Sequence, residues 1–240
     1  MGSSIVFKED NMLTMSRYPD KYFDLAPVDI QYGIGVGKMA YLHETGTRVK
    51  QKNGNRLNAH RKNDTYALKE WDEKPPEQAY FDELRRVSKH QIIFGIDYVN
   101  WTGVGTGRIK WDKGVAEGMS FKRYETAYCS LIDTEVILPL LWSGMQQAKS
   151  ISEPMTVQGN KKLNEKRIHP CHKPIFLYQR LFLDYGFEGM KVIDTHLGGG
   201  SSRIVADMMN CEFVGSEIDT EYYDKQELRY KQYKSQLRIF

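Results

Sequence analysis

The chain has too few cysteines, too little net charge and too short a set of apolar runs to belong to several large classes of protein. Its three cysteines, Cys129, Cys171 and Cys211, are odd in number and widely spaced. They fit neither a disulfide framework nor a metal-ligand set, so reduced thiols of an intracellular protein and no bound metal are expected. No uninterrupted apolar stretch approaches the roughly 20 residues of a membrane span, and the first residues lack a signal-peptide core. A cytoplasmic protein with no membrane partner follows as the expectation. Charge is nearly balanced, with 34 Lys and Arg against 31 Asp and Glu, a net +3. That is too small an excess to demand a polyanionic partner, yet it permits one where the basic residues cluster. No internal repeat is present. The 240 residues, 40% of them hydrophobic, suffice for one domain with a sizeable core and leave little room for a second.

The most informative stretch runs from Lys191 to Asp219, KVIDTHLGGGSSRIVADMMNCEFVGSEID. Val192 and Ile193 make a short apolar strand ending in Asp194. Gly198, Gly199 and Gly200 supply a turn in which backbone can take φ > 0 and a ligand can come close. Ser201 or Ser202 is placed to cap the following helix, whose apolar positions Ile204, Val205, Met208 and Met209 recur at helical spacing. Phe213 and Val214 open a second strand that leads to Glu217 and Asp219. An acidic residue about 20 positions past a glycine turn is where a nucleotide-binding α/β unit holds ribose hydroxyls. The turn lacks the GxGxxG spacing of dinucleotide sites, and Asp194 would repel a pyrophosphate, which disfavours a nicotinamide-dependent dehydrogenase. A carboxylate there suits a ligand carrying an ammonium and a sulfonium, such as S-adenosylmethionine. Read alone, the segment fits an ordinary tight βα turn equally well.

Tyr22 to Lys38, YFDLAPVDIQYGIGVGK, reads as a second strand and loop. Phe23, Leu25, Ala26 and Val28 form a buried strand that delivers Asp29 to its carboxyl end, where open α/β sheets bind ligands. Tyr32, Gly33, Gly35 and Gly37 follow in a mobile loop. An acceptor and an aromatic ring together are what an enzyme needs to grip an extruded base, although a turn aspartate and a core tyrosine would look the same.

These segments, in this order, resemble the beta-class amino methyltransferases of DNA, in which the catalytic tetrapeptide precedes the cofactor motif. Asp29-Ile30-Gln31-Tyr32 stands where that family has Asp-Pro-Pro-Tyr. Tyr80 to Trp101 resembles the family's next helix and strand, and Trp111 to Gly114 and Glu125 to Tyr128 resemble its later motifs. His169-Pro170-Cys171-His172-Lys173-Pro174 resembles the segment before the cofactor strand, and Asp194 to Gly200 the cofactor loop. The likeness runs from about Asp10 to Tyr223. It departs in two places: both prolines of the tetrapeptide are missing, which removes their fixed φ, and His196 stands where the family often has Phe.

The resemblance implies a Rossmann-like, S-adenosylmethionine-dependent α/β methyltransferase fold with a mostly parallel sheet and a circularly permuted motif order. It implies DNA as partner and N6 of a flipped adenine as the acceptor. Asp29, the Ile30 carbonyl and Tyr32 would be the catalytic groups. Asp10, Asp29, His172, Lys173, Asp194, His196, Gly198, Gly200 and Glu217 would border the cofactor. A catalytically silenced DNA-binding homologue and a cytosine N4 methyltransferase share the same residues and stay open.

Further elements fit this frame. Pro76 can start a helix carrying Tyr80, Phe81, Leu84 and Val87, leading into a strand at Gln91 to Phe94, with Asp97 behind it at the ligand end. Pro174 suits the first turn of a helix with Ile175, Leu177, Tyr178, Leu181 and Phe182 on one side, a start that can receive an anion. Tyr223, Tyr230 and Leu237 at seven-residue spacing predict a packed final helix and leave a homodimer seam open. Two basic loops, about 41–66 and 145–168, flank the predicted site. Arg48, Lys50, Lys52 and Arg56 in the first, and Lys161 and Lys162 in the second, are the expected contacts to DNA phosphates.

Overall fold

The structure, a computed structural model, describes residues 2–38, 69, 71–118 and 122–237. Ten strands lie in it: β1 (Ser4–Phe7), β2 (Phe23–Asp29), β3 (Ser88–Phe94), β4 (Arg108–Asp112), β5 (Tyr124–Cys129), β6 (Glu135–Pro139), β7 (Trp142–Ser143), β8 (Gln146–Gln147), β9 (Lys191–Asp194) and β10 (Glu212–Ser216). Five α-helices accompany them: α1 (Asn11–Ser16), α2 (Gln78–Val87), α3 (Ile175–Tyr185), α4 (Ser201–Met208) and α5 (Thr220–Leu237). Eight strands form one sheet in the order β1-β10-β9-β2-β3-β5-β4-β6, while β7 and β8 pair separately. Within the large sheet β5 alone runs against its neighbours, so the sheet is mostly parallel.

Parallel strands are covered by helices on both faces, and the burial follows. Ile92 and Phe94 of β3, Val192 of β9 and Phe213 of β10 pack in one core with Leu177, Leu181 and Phe182 of α3 and Val205 of α4. Ile93, Ile193 and Val214, the alternate residues of the same strands, pack in a second core with Tyr80, Phe81, Leu84 and Val87 of α2. The predicted apolar face of α2 is thus the face that is buried. Pro27 does sit in a central strand. The ladder between β2 and β9 registers at Leu25↔Val192, and two residues on Pro27 has no N–H to extend it.

Several local readings are corrected. Gly200, at φ +71°, is the N-cap of α4, and Ser201 and Ser202 lie inside its first turn with their hydroxyls turned to other partners. Pro174 is itself the N-cap of α3, one residue before the helix begins. Tyr222 and Gln226 are the fully buried side chains of α5, while Tyr223 and Tyr230 of the expected set are half-buried and the Tyr230 hydroxyl donates to Asp207 of α4 at 3.0 Å. The basic loop at 145–168 is tied down by the β7–β8 pair, the Ala148↔Val157 bridge and paired bonds between Gln147 and Glu165. The loop at about 41–66, with Arg48, Lys50, Lys52 and Arg56, lies outside the described residues.

The connections fix where a ligand can enter. From β9 the chain passes through α4 to β10 on one side of the sheet order, and from β2 through α2 to β3 on the other. β9 and β2 are neighbours whose chains depart in opposite directions, and such a switch point opens a crevice at the strand ends.

Candidate active site

A cleft of about 270 Å³ opens there, far more than a single buried water occupies. The carboxyl end of β2 brings Asp29 and Gln31 to it, the turn after β9 brings Thr195 to Gly200, and the end of β10 brings Ser216 and Glu217. Asp10 and Asn11 close one side, and His169, His172 and Lys173 another. The cleft thus collects most of the residues expected to border a cofactor.

The glycine turn is shaped by its surroundings. Gly198 and Gly200 take φ +50° and +71°, and a Cβ on Gly199 would stand 2.3 Å from His172 Nδ1. Glu217 accepts from Gly198 N at 2.8 Å and from Asp219 N at 2.9 Å, and its burial raises its pKa. A carboxylate accepts about four hydrogen bonds, so Glu217 keeps capacity for a ligand on the cleft wall. Asp219 caps α5 by accepting from the backbone of Glu221 and Tyr222.

Asp194 is held behind the turn rather than on the cleft wall. Its oxygens accept from Ser202 Oγ at 2.5 Å and His196 N at 3.1 Å, and burial lifts its pKa to about 7. His196 packs edge-on against Tyr80, with Nδ1 3.2 Å from the Tyr80 hydroxyl and Nε2 3.3 Å from Asn11 Nδ2. Burial lowers its pKa to about 4, so it is neutral. Asp10 is the N-cap of α1, accepting from Met12 N at 2.8 Å.

At the other end of the cleft a closed polar network surrounds Asp29. Lys173 Nζ lies 2.7 Å from Asp29 Oδ2, 2.6 Å from Glu125 Oε1 and 3.1 Å from the Tyr32 hydroxyl. The Tyr32 hydroxyl lies 2.9 Å from Asp29 Oδ1 and 2.5 Å from Glu125 Oε1. Burial beside Glu125 raises the pKa of Asp29, whereas Lys173 and Lys113 overcome burial at Glu125 and hold it at about 2. Burial opposes the charge of Lys173, but the two carboxylates raise its pKa. Tyr32 itself stacks on Tyr98 with centroids 4.7 Å apart, so one of its faces is covered. The Ile30 side chain fills the core beneath, and Asp97 is exposed on the turn before Tyr98.

The start of α3 already holds an anion, supplied by the chain. Glu165 accepts from Ile175 N at 2.9 Å, from Arg229 at 2.6 Å and pairs with His172 Nε2 at 2.7 Å. Burial keeps His172 below its usual pKa even with that carboxylate beside it. Glu165, Arg229 and the cleft-lining Trp71 and Tyr222 are absent from the sequence reading, and Glu125 figures there only as part of a motif.

Comparison with known proteins places this geometry. The N6/N4 family model of DNA methylases matches residues 38–228. The chain belongs to that DNA methylase family. The Type II methyltransferase M2.DpnII of Streptococcus pneumoniae is 33% identical to this chain over 54 residues, 22% of its length. The match spans a fifth of that curated relative's length. Among solved structures, the M1.HpyAVI complex with SAM aligns with a TM-score of 0.53 at 13% identity, covering 95% of this chain and 100% of that one. The PvuII cytosine-N4-specific DNA methyltransferase aligns with a TM-score of 0.52 at 11% identity, covering 96% and 87%. At these identities the likeness is one of fold, an α/β methyltransferase with a mostly parallel sheet. Among the described residues no helix is long and apolar enough to cross a membrane, and no group of side chains is arranged to hold a metal.

Proposed function

We infer that this methylase transfers a methyl group from S-adenosylmethionine to N6 of an adenine extruded from DNA. The observation that carries the reading is Asp29 on the wall of the same cleft as the glycine turn, at the switch point between β2 and β9. The cleft residues fit that cofactor. Asp10, Asp29 and Glu217 give it an acidic lining suited to a cation, and the bare backbone of Gly198 to Gly200 allows close approach. Glu217 would take the ribose, while Asp10 and His196 would border the adenosine end. Asp194 would serve by fixing the turn, and His172 by packing under Gly199. When bound, the cofactor supplies an electrophilic methyl group.

The rest of the chemistry belongs to the chain. The exocyclic amine of adenine is a poor nucleophile because its lone pair is delocalised into the ring. Acceptors at its two hydrogens favour the more tetrahedral nitrogen that can attack, by preorganised electrostatics and positioning. Asp29 and the Ile30 carbonyl would be those acceptors. Lys173, bonded to Asp29, would keep that carboxylate ionised although burial opposes it, and Tyr32 would border the base. Arg48, Lys50, Lys52, Arg56, Lys161 and Lys162 would contact DNA phosphates.

A second reading, a silenced DNA-binding homologue, draws on the same network, since both oxygens of Asp29 have partners within the chain, the Tyr32 hydroxyl and Lys173. Transfer of a labelled methyl group to unmethylated DNA, with Asp29→Ala as control and the product base identified, separates the readings. N6-methyladenine that disappears in Asp29→Ala supports the first. N4-methylcytosine would change the substrate, and transfer appearing only after proline is restored at 30 and 31 would support the silenced homologue.

A further inference from the structure

The tetrapeptide Asp29 to Tyr32 lacks the prolines that would stiffen it, and a buried carboxylate elsewhere in the chain meets the same segment. Asp72 is 2% exposed. Its Oδ1 accepts from Tyr32 N at 2.7 Å and Gly33 N at 2.8 Å, and its Oδ2 from Val36 N at 2.9 Å. Its backbone carbonyl accepts from Gly35 N at 2.9 Å. Four of the five amides from Tyr32 to Val36 therefore end on one residue. Gly33 and Gly35 lie at φ +70° and +68°, which curls those N–H groups around the carboxylate as a nest does around an anion. Charge-assisted bonds of this kind are stronger and more directional than neutral ones.

The clamp is itself anchored. Trp71 packs against His169, centroids 5.0 Å apart, and edge-on against Tyr222. Lys69 pairs with Asp219 at 2.8 Å and Glu221 at 3.1 Å, at the start of α5. On the far side Pro75 closes against Gly33, where a Cβ would come within 2.5 Å of its ring. The segment carrying Asp72 is thus fixed to the cofactor side of the cleft while its carboxylate grips the loop bearing Tyr32. Through the Tyr32 hydroxyl that grip reaches Asp29 Oδ1.

We propose that Asp72 is the positioning residue of the target-base loop, its hydrogen bonds restraining the residues that directly follow the two positions held by proline in the family's usual tetrapeptide. The role in turnover rests on the methyltransferase reading above; the clamp itself does not. Amide hydrogen exchange of the full chain tests the clamp without reference to activity. Asp72→Ala is expected to speed exchange at Tyr32, Gly33 and Val36 by about tenfold or more, with β3 and β9 unchanged. Asp72→Asn keeps one acceptor oxygen and is expected to free Val36 N selectively, which preserves the test should the alanine variant fail to fold. In methyl transfer, Asp72→Ala is expected to lower kcat by about 100-fold through misplacement, with cofactor affinity retained. Adding Gln31→Pro should recover part of that loss, which a merely structural defect would not allow. Unchanged exchange at the three amides overturns the clamp, and faster exchange with unchanged kcat overturns the positioning role. A wild-type chain that transfers no methyl group defeats the functional reading, while the exchange pattern still decides the clamp.

Discussion

Lys173 Nζ stands 2.7 Å from Asp29 Oδ2 and 2.6 Å from Glu125 Oε1, one buried cation between two largely buried carboxylates. Removing it leaves like charges facing each other in a largely desolvated site, with Lys113 the remaining cation paired with Glu125 among the described residues, at 3.4 Å. Breaking such a buried set typically costs about 3–5 kcal/mol, so Lys173→Met should lower stability by that amount near neutral pH. Glu125, held at about 2 in the intact protein, contributes stability that is present above the ordinary carboxylate range and lost as pH falls toward 2. The variant lacks most of that contribution, so its deficit should shrink in acid. Urea midpoints at pH 7 and pH 4 measure both effects, and equal midpoints at pH 7 would show that the pair contributes nothing.

Asp194 gives the opposite pH dependence. Its pKa is raised from 3.8 to about 7 by burial, so between those values the native state binds a proton that the unfolded chain has released. Stability should therefore fall as pH rises from about 4 to about 7, by up to about 4 kcal/mol from this group. Asp194→Asn keeps a carbonyl for His196 N and an amide for the Ser202 hydroxyl. It should flatten that slope and leave the variant more stable than the parent at pH 8. Thermal unfolding across pH 5 to 8 checks this; parallel curves for the two proteins would refute it.

Much of the frame was legible because it is periodic. Alternation or continuous apolarity gave the span of β2, and the 3.6-residue spacing of Tyr80, Phe81, Leu84 and Val87 gave the buried face of α2. Asp29, the glycine turn and Glu217 were legible because α/β sheets collect ligands at strand ends. Glu165 and Asp72 were not, since each sits in a charged stretch that reads as solvated surface and finds its partners far along the chain. Lys173 is expected at the cofactor, yet its ammonium turns to Asp29 and Glu125, a choice only tertiary packing makes. On α5 the deepest side chains are Tyr222 and Gln226, which the seven-residue spacing misses, whereas Tyr230 of that spacing does pack on α4, against Arg203 and Asp207.

Gly95 should be intolerant for a reason that its neighbour in kind, Gly35, does not share. Both adopt left-handed backbone, at φ +85° and +68°. A Cβ on Gly95 would stand 2.2 Å from Tyr32 Cε1, whereas one on Gly35 meets nothing within 4 Å. Gly35→Ala should cost about 1 kcal/mol of stability with activity retained. Gly95→Ala should cost about 2–4 kcal/mol and displace Tyr32, with methyl transfer reduced by about 10-fold or more. Chemical denaturation and initial rates distinguish the two, and equal behaviour would remove Tyr32 from the account.

Glu165 ties α5 to the start of α3 through Arg229, whose side chain is only 14% exposed. Burial acts against the charge of Glu165, but His172 and Arg229 hold its pKa below the usual range. Glu165→Ala strands that guanidinium and should cost about 3–5 kcal/mol. Glu165→Ala combined with Arg229→Met should cost less than the sum of the single changes, because the stranded charge is gone. A double-mutant cycle in urea measures the coupling, and strict additivity would contradict it.

The proposed contacts to DNA phosphates can be apportioned between the two basic segments. In the folded one, Lys149 is paired with Glu153 at 2.7 Å and the Arg167 guanidinium lies over Trp142 at 4.2 Å. Lys161 and Lys162 are exposed on a single 3-10 turn, and among the described residues neither meets a carboxylate. Together with Lys166, which is likewise exposed, they are the cations of this segment available to phosphate, each release of a counterion contributing about 0.9 to the slope of log affinity against log salt. Lys161→Ala with Lys162→Ala should weaken binding to duplex DNA uniformly across sequences and lower that slope by about 2. Lys50→Ala, Lys52→Ala and Arg56→Ala together should lower it by about 3 if the first segment contributes equally. A slope that changes with one set and not the other assigns the phosphate contacts to that segment, and a slope unchanged by both removes these residues from the DNA interface.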